Sequence, residues 1–321
     1  MSLEPETAPN HCSLLDLNIT ADYRLDIRNY DRLAKAVSAA QPDIVFHLAA
    51  QPLVRRSYRQ PLETWSTNVM GTANVLEACR HTPSVQAIVT ITTDKCYANQ
   101  EWSWGYREID QLGGHDPYSA SKAGAELVAA SYRSAYFNQS GQPLLATARA
   151  GNVIGGGDWS EDRLIPDLIR AIASKQILEI RSPQATRPWQ HVLESLSGYL
   201  LLGQQLLEGK AGYTEAWNFG PEPDGNRKVI EILTHMQQHW SAVEWQTAEQ
   251  PQPHEANLLY LDSAKARTKL NWQPVWTLEQ ALEKTVAWYR NWMEEDYILS
   301  KQQLNDYIRQ ANQNRAVWIT A

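Results

Sequence analysis

Residues 87–97 read A-I-V-T-I-T-T-D-K-C-Y, an apolar, mostly β-branched run that ends in two threonines and an acid beside a base, Asp94 and Lys95. The middle of a buried strand has no use for adjacent charges, because each would lose its water. The carboxyl end of such a strand does: open α/β sheets bind ligands in the crevice outside the carboxyl ends of their strands. This stretch therefore predicts a parallel sheet with a reactive site at the tip of one strand.

The flanking sequence repeats the pattern. Asp43-Ile44-Val45-Phe46-His47-Leu48 reads as another buried strand, and Leu144–Arg149 as a third. Between them, Pro61–Arg80 carries Leu62, Trp65, Val69, Val75, Leu76 and Cys79 at helical spacing, and a second helix runs from Tyr118 to about Phe137. Asp31–Ala40 predicts a helix ahead of the first run and Ile19–Asp26 a short strand. Runs apolar on both faces, alternating with helices, predict an α/β fold with a Rossmann-like, doubly wound parallel sheet.

After Gly151 the rhythm changes. The loop Gly155-Gly156-Gly157-Asp158-Trp159, an amphipathic helix near Arg163–Ser174 and scattered turns predict a smaller C-terminal lobe. The expected division is residues 1–155, with returning segments near 185–220, for the sheet domain and 156–321 mainly for the substrate lobe. A helix over 278–292 is expected to pack back on the first lobe. The glycines at 151, 155, 156 and 157 form neither G-x-G-x-x-G nor a Walker loop, so they read as a turn near the ligand.

Bulk properties narrow the classes. The chain has 321 residues, a formal net charge of -7 and no Lys/Arg block, which argues against a dedicated nucleic-acid binder. Its three cysteines, Cys12, Cys79 and Cys96, lack C-x-x-C spacing, so no disulfide framework and no metal site are expected. No apolar stretch reaches spanning length, and residues 1–20 are too polar for a signal peptide, which together predict a cytoplasmic protein.

The chemistry concentrates at two places. Tyr118-Ser119-Ala120-Ser121-Lys122 opens a helix behind Asp116-Pro117, and positions i and i+4 share a face. An ammonium near a phenol favours phenolate, a base for neutral pH. Alone, this pair reads rather as a surface Tyr and Lys on one turn. Thr93, Asp94 and Lys95, one strand earlier, add a hydrogen-bond donor, an acid and a base. Arg187-Pro188-Trp189-Gln190-His191 sets a guanidinium, an indole and an imidazole close together, a combination suited to a diphosphate.

Taken together, H-L-A-A-Q at 47–51, T-T-D-K-C-Y at 92–97, Y-S-A-S-K at 118–122, R-A-G-N-V-I-G-G-G-D-W at 149–159 and R-P-W-Q-H-V at 187–192 resemble the extended short-chain dehydrogenase/reductases. More narrowly they resemble the CDP-glucose 4,6-dehydratases, over roughly Leu3 to Trp292. Asp94-Lys95 stands where the related dTDP-glucose and GDP-mannose dehydratases carry Asp-Glu. The resemblance implies a lyase of deoxysugar biosynthesis with NAD as cofactor, turning CDP-glucose into CDP-4-keto-6-deoxy-glucose and water. Tyr118, helped by Thr93 and Lys122, would take the proton of the C4 hydroxyl as hydride passes to NAD⁺. A base would then remove the C5 proton while Asp94 protonates the departing C6 hydroxyl, and the hydride would return to C6. Lys95 occupies the place of the family's glutamate base. The same likeness implies Asp26, Ile27, Ala49, Ala50, Asn68, Tyr118 and Lys122 along the NAD, and Asn152, Arg163, Arg187 and His191 around the nucleotide diphosphate. It also implies a homodimer through helices 61–80 and 118–137.

One departure shapes the expectation. The family opens with a strand, a glycine-rich turn, a helix and a second strand, and Met1–Pro5 resembles the segment just after them. A shortened or wrongly started chain would bind NAD poorly or aggregate, with the strand at 43–50 exposed at an edge and Ile19–Asp26 unpaired. Tight NAD binding by a well-folded chain of this length would count against that. The competing functions are another nucleotide-sugar dehydratase, a 4-epimerase, and a catalytically silent nucleotide-sugar binder.

Overall fold

The computed structural model describes residues 1–248 and 258–319. The strands, in chain order, are β1 (Ile44–His47), β2 (Ala87–Ile91), β3 (Leu144–Ala150), β4 (Asn152–Ile154), β5 (Leu178–Ile180), β6 (Thr186–His191), β7 (Ala216–Phe219), β8 (Asn226–Lys228) and β9 (Trp245–Thr247). The helices are α1 (His11–Leu14), α2 (Tyr30–Ala40), α3 (Val54–Arg59), α4 (Pro61–Trp65), α5 (Gly71–Arg80), α6 (Pro117–Ala135), α7 (Leu164–Ala173), α8 (Val192–Leu207), α9 (Val229–His239), α10 (Ala264–Lys269), α11 (Leu278–Glu295) and α12 (Ser300–Gln313). None is long and apolar enough to cross a membrane.

The main sheet has four parallel strands in the order β1-β2-β3-β7, with Ile44 opposite Ala87, Ala87 opposite Leu144 and Thr147 opposite Ala216. Alternate residues face opposite sides of a strand. Ile88 and Leu145 meet Leu33, Val37, Val75, Leu76 and Ala129 from α2, α5 and α6. Ala87, Val89, Ala146 and Ala148 meet Tyr199, Leu202, Leu206, Ala266 and Trp272 on the other side. Both faces are covered, which is why the strands lack a polar stripe. This is the doubly wound sheet that the apolar runs predict.

Three expectations change in detail. Ile19–Asp26 forms no strand: Arg24 makes a single bridge to Ser2, and Leu25 N–H donates to the Ser2 carbonyl at 3.0 Å. Its polar residues explain this, since Asp22 and Arg24 pair with each other at 2.5 Å and Ile19 lies exposed. Helix 61–80 is continuous but contains a π turn, Ser66–Met70, between α4 and α5. Such turns recur at functional sites, and this one carries Asn68.

The third is α11, which meets β4 and β6 but packs mainly into the second lobe. Its face of Leu278, Ala281, Leu282, Val286, Trp288 and Tyr289 packs with Ile165, Leu168 and Ile169 of α7 and Ile232, Leu233 and Met236 of α9. These residues, beside the small β4-β6-β8 and β5-β9 sheets, form a core of the second lobe. The glycine loop belongs to that packing. A Cβ on Gly156 would lie 2.0 Å from the Trp288 indole, so Gly156 lets the loop close on α11.

Candidate functional site

The site begins where β2 ends. Thr92 and Thr93 stay extended, and Asp94–Cys96 then make one tight 3₁₀ turn. The Thr93 hydroxyl starts that turn by accepting the Lys95 N–H at 3.4 Å and donating to Asp94 Oδ1 at 3.0 Å. Asp94 is 0 % exposed. Lys95 Nζ donates to Asp94 Oδ1 at 3.1 Å and to Asn152 Oδ1, on β4, at 3.3 Å. Asp94 Oδ2 is buried with no hydrogen-bond partner among the described residues. A buried carboxylate oxygen left without a donor is costly, and a ligand hydroxyl is the group that would satisfy it.

Opposite lies the start of α6. Asp116 caps the helix by accepting the Ser119 N–H at 2.9 Å, and Pro117 fills the first turn, where no N–H is needed. This aims Tyr118 into the site, 7 % exposed. Burial pushes its phenol up to about 12; its hydrogen bond with Thr93 pulls down, Asp94 pushes up, and Arg163 pulls down. One turn on, Lys122 is buried, and its Nζ donates to the Ile91 carbonyl at 3.2 Å. Tyr118, Thr93, Asp94, Lys95 and Asn152 thus share one place, with Lys122 on the next turn of the helix.

Lys122 is an expensive residue. Burial lowers its ammonium from 10.5 to about 8, with Glu126 working the other way. The unfolded chain holds this proton up to 10.5, so between about 8 and 10.5 it binds more protons and stability rises with pH. Below about 8 the cost of burying the charge is present in full. Lys122→Met is therefore expected to stabilise the chain by about 1–3 kcal/mol at neutral pH, less the bond to Ile91, and to remove that slope. Urea unfolding at neutral and alkaline pH measures both; a destabilised variant would make Lys122 a structural residue.

The expected cofactor residues fall at two spots. Ala49 and Ala50 follow β1, half-buried and small enough for close approach. Asn68 lies behind them: its Nδ2 donates to the Gln51 carbonyl at 3.0 Å and Ser121 Oγ at 2.9 Å, and its Oδ1 accepts the Gln51 N–H at 2.8 Å. It ties the end of β1 to α6. Asp26 sits at the other spot, gripped by Arg28 at 2.5 Å, which is the largest influence holding its carboxyl below the usual range. The Ile27 side chain is core, pressed against Gly71, whose Cβ would lie 2.5 Å from Ile27 Cδ1, so Ile27 can offer a ligand only its backbone.

The remaining candidates lie on the loop before α7 and on β6. Arg163 precedes α7 and pairs with Asp158 at 3.3 Å. Arg187 and His191 stand on β6, beside β4 and its Asn152. Arg187 is buried, and its Nη1 donates to the Thr186 carbonyl at 2.9 Å. His191 caps α8: its Nδ1 accepts the Leu193 N–H at 3.3 Å, which places the ring proton on Nε2. Nε2 is buried without a partner among the described residues. Burial takes the imidazole down to about 3, so it is a neutral donor at physiological pH. No group of three metal-ligating side chains gathers among the described residues.

One element escaped the sequence reading. Glu126, on the turn after Lys122, accepts from Thr92 Oγ1 of the β2 end, from Thr147 Oγ1 at 2.8 Å, and from Arg149 Nε at 2.9 Å and Nη2 at 2.8 Å. Arg149 also donates to the Tyr97 hydroxyl at 2.8 Å. Glu126 and Arg149 are each 3 % exposed. This pair ties α6, β2 and β3 together directly behind the reacting residues. The signal was present: Tyr118, Lys122 and Glu126 recur every four residues, and Arg149 is a charge inside an apolar run.

The chain is similar to several known proteins. The sequence model of the GDP-mannose 4,6-dehydratase family matches residues 17–285. The CDP-glucose 4,6-dehydratase of Salmonella typhimurium is 45% identical over 315 residues, covering 96% of this chain and 88% of that protein. A dTDP-glucose 4,6-dehydratase of Xanthomonas campestris is 27% identical over 308 residues, 88% of this chain and 83% of that one. Among solved structures, the UDP-glucose 4-epimerase of Thermotoga maritima superposes with a TM-score of 0.74 at 21% identity, over 85% of each chain. The dTDP-glucose 4,6-dehydratase of Bacillus anthracis, in complex with NAD, gives 0.72 at 22%, over 89% of this chain and 84% of that one. At such identities these two likenesses speak for the fold.

Proposed function

The chain belongs to the GDP-mannose 4,6-dehydratase family, within the extended short-chain dehydrogenase/reductases, and from that premise we propose that it is an NAD-dependent hydro-lyase that removes water from CDP-glucose. The observation that carries the reading is Lys95 Nζ donating to Asp94 Oδ1 at 3.1 Å beside an Asp94 Oδ2 that has no partner among the described residues. An ammonium cannot accept a proton, which makes Lys95 an awkward base as it stands. Moving its proton to Asp94 resolves this, because the ion pair becomes a neutral acid beside a neutral amine. The amine then takes the C5 proton while the acid gives its proton to the C6 hydroxyl, which leaves as water. The pair returns to its starting charges, so the elimination balances within two adjacent residues.

Tyr118, as the phenolate formed once its own proton has passed to solvent, would accept the proton of the C4 hydroxyl, oriented by Thr93, before that elimination, and would release it to solvent afterwards. NAD, if bound, would supply the hydride acceptor at C4 and the hydride donor at C6; as C6 is reduced, the Lys95 ammonium would give a proton to C5 and recover one from solvent, so the overall reaction is redox-neutral. The residues fit that group: small Ala49 and Ala50 at a strand end, the Ile27 backbone beside Asp26, and a buried Lys122 with a neutral partner. Asn152, Arg163, Arg187 and the neutral His191 Nε2–H would hold the nucleotide diphosphate. In this reading the residues up to 155 with β6, α8 and β7 serve the cofactor, and those from 156 serve mainly the substrate. Buried free thiols Cys79 and Cys96 suit a cytoplasmic setting.

To test the substrate, CDP-, dTDP-, UDP- and GDP-glucose are offered separately with NAD. Loss of one water from CDP-glucose, with the others slower, supports the reading; isomerisation without change of mass would make the chain a 4-epimerase. A homodimer is part of the same reading. Leu62, Met70 and Leu127 are 83%, 57% and 61% exposed, on α4, the π turn and α6, and an apolar patch of this kind suits a second copy. Replacing Leu62 and Leu127 together by glutamate is expected to give monomers in light scattering. A double variant that stays dimeric would place the interface elsewhere.

A further inference from the structure

The loop between the glycine turn and α7 is tied to the other lobe by charge. Asp162, only 19% exposed at its side chain, faces three guanidinium groups: Arg55 at 3.6 Å, Arg59 at 3.8 Å and Arg181 at 3.2 Å. Arg55 and Arg59 lie on α3, which follows the end of β1; Arg181 follows β5 in the second lobe. Glu161 adds pairs to Arg59 at 3.0 Å and Arg56 at 3.4 Å. Asp162 also has φ 58, the left-handed region that side-chain-bearing residues enter at a cost. Isolated surface pairs contribute little, but a carboxylate shared by three arginines holding a left-handed backbone is a network with a fixed geometry. The next residue is Arg163, whose charge reaches Tyr118.

We propose that Asp162 is a positioning residue: its carboxylate clasps α3 to the loop before α7 and so presents Arg163 to the phosphates of a nucleotide sugar. The inference rests on the nucleotide-sugar reading above. Two effects of removing the carboxylate have opposite signs. Losing a negative charge among arginines would by itself tighten the binding of a diphosphate. Losing the clasp would loosen it, because Arg163 must then be ordered at the moment of binding.

D162N separates them, since asparagine enters the left-handed region as readily as aspartate and only the charge is lost. CDP-glucose is titrated into the protein with NAD present, and steady-state kinetics are measured alongside. The clasp predicts a Kd and KM about tenfold higher, with kcat within about twofold and an unchanged melting temperature. Equal or tighter binding by D162N overturns it. A wild-type chain that fails to bind CDP-glucose would instead sink the substrate reading. The clasp itself is then judged on the wild-type protein by trypsin. Cleavage at Arg55, Arg56 and Arg59 should speed up as NaCl screens the network. Cleavage indifferent to salt overturns the clasp, and this holds even if D162N does not fold.

Discussion

Tyr118→Phe is expected to lower kcat for dehydration of CDP-glucose by about 10²–10⁴-fold while KM changes little, the range for removing a general base. The ring stays, so the packing of the buried side chain is kept. What goes is the one hydroxyl that meets Thr93 at the end of β2. Burial holds that phenol up at about 12, with Asp94 adding to the rise and Thr93 and Arg163 opposing it. Steady-state rates for the Phe variant decide the matter. A loss of less than about tenfold would show that another group takes the C4 proton.

Glu126→Ala should cost about 3–5 kcal/mol of stability, because it leaves the Arg149 guanidinium buried without its counter-charge. Burial on its own would raise the Glu126 carboxyl, but the hydrogen bonds and charge of Arg149, with Thr92 and Thr147, outweigh it and hold the carboxyl below its ordinary value. The carboxylate is thus ionised and accepts from three residues at once, one at the end of β2 and two on β3. Pairing Glu126→Ala with Arg149→Met should recover much of the loss, since a buried ion pair replaced by apolar groups is often close to neutral. Chemical unfolding of the two single variants and the double one measures the coupling. If the single variant loses less than about 1 kcal/mol, the pair is not what ties α6 to β2 and β3.

Most of the first lobe was legible from its apolar runs. Ile88 and Leu145 point to one layer of helices, and Ala87, Val89, Ala146 and Ala148 to the other, so strands buried on both faces leave an unmistakable mark. Ile19–Asp26 misled because one buried residue, Leu25, cannot make a ladder when Asp22 and Arg24 prefer each other. The position of α11 was hidden because its apolar face says only that it packs, not on what. Its partner was set by Trp288 fitting Gly156, a contact far apart in sequence. The reacting residues were legible from adjacency: Asp94 beside Lys95, and Tyr118 a turn from Lys122. The partners of their support were not, because Asn68, Glu126 and Asp162 draw them from distant segments.

The most direct test of the elimination is the mass of the product formed from CDP-glucose and NAD in deuterium oxide. A product lighter by one water is expected, carrying a single solvent deuteron at C5, because Lys95 returns an exchanged proton to C5 as C6 is reduced. A product of unchanged mass, or a dehydrated product with no deuterium at C5, would contradict the assignment of Asp94 and Lys95 as the acid and base of the step.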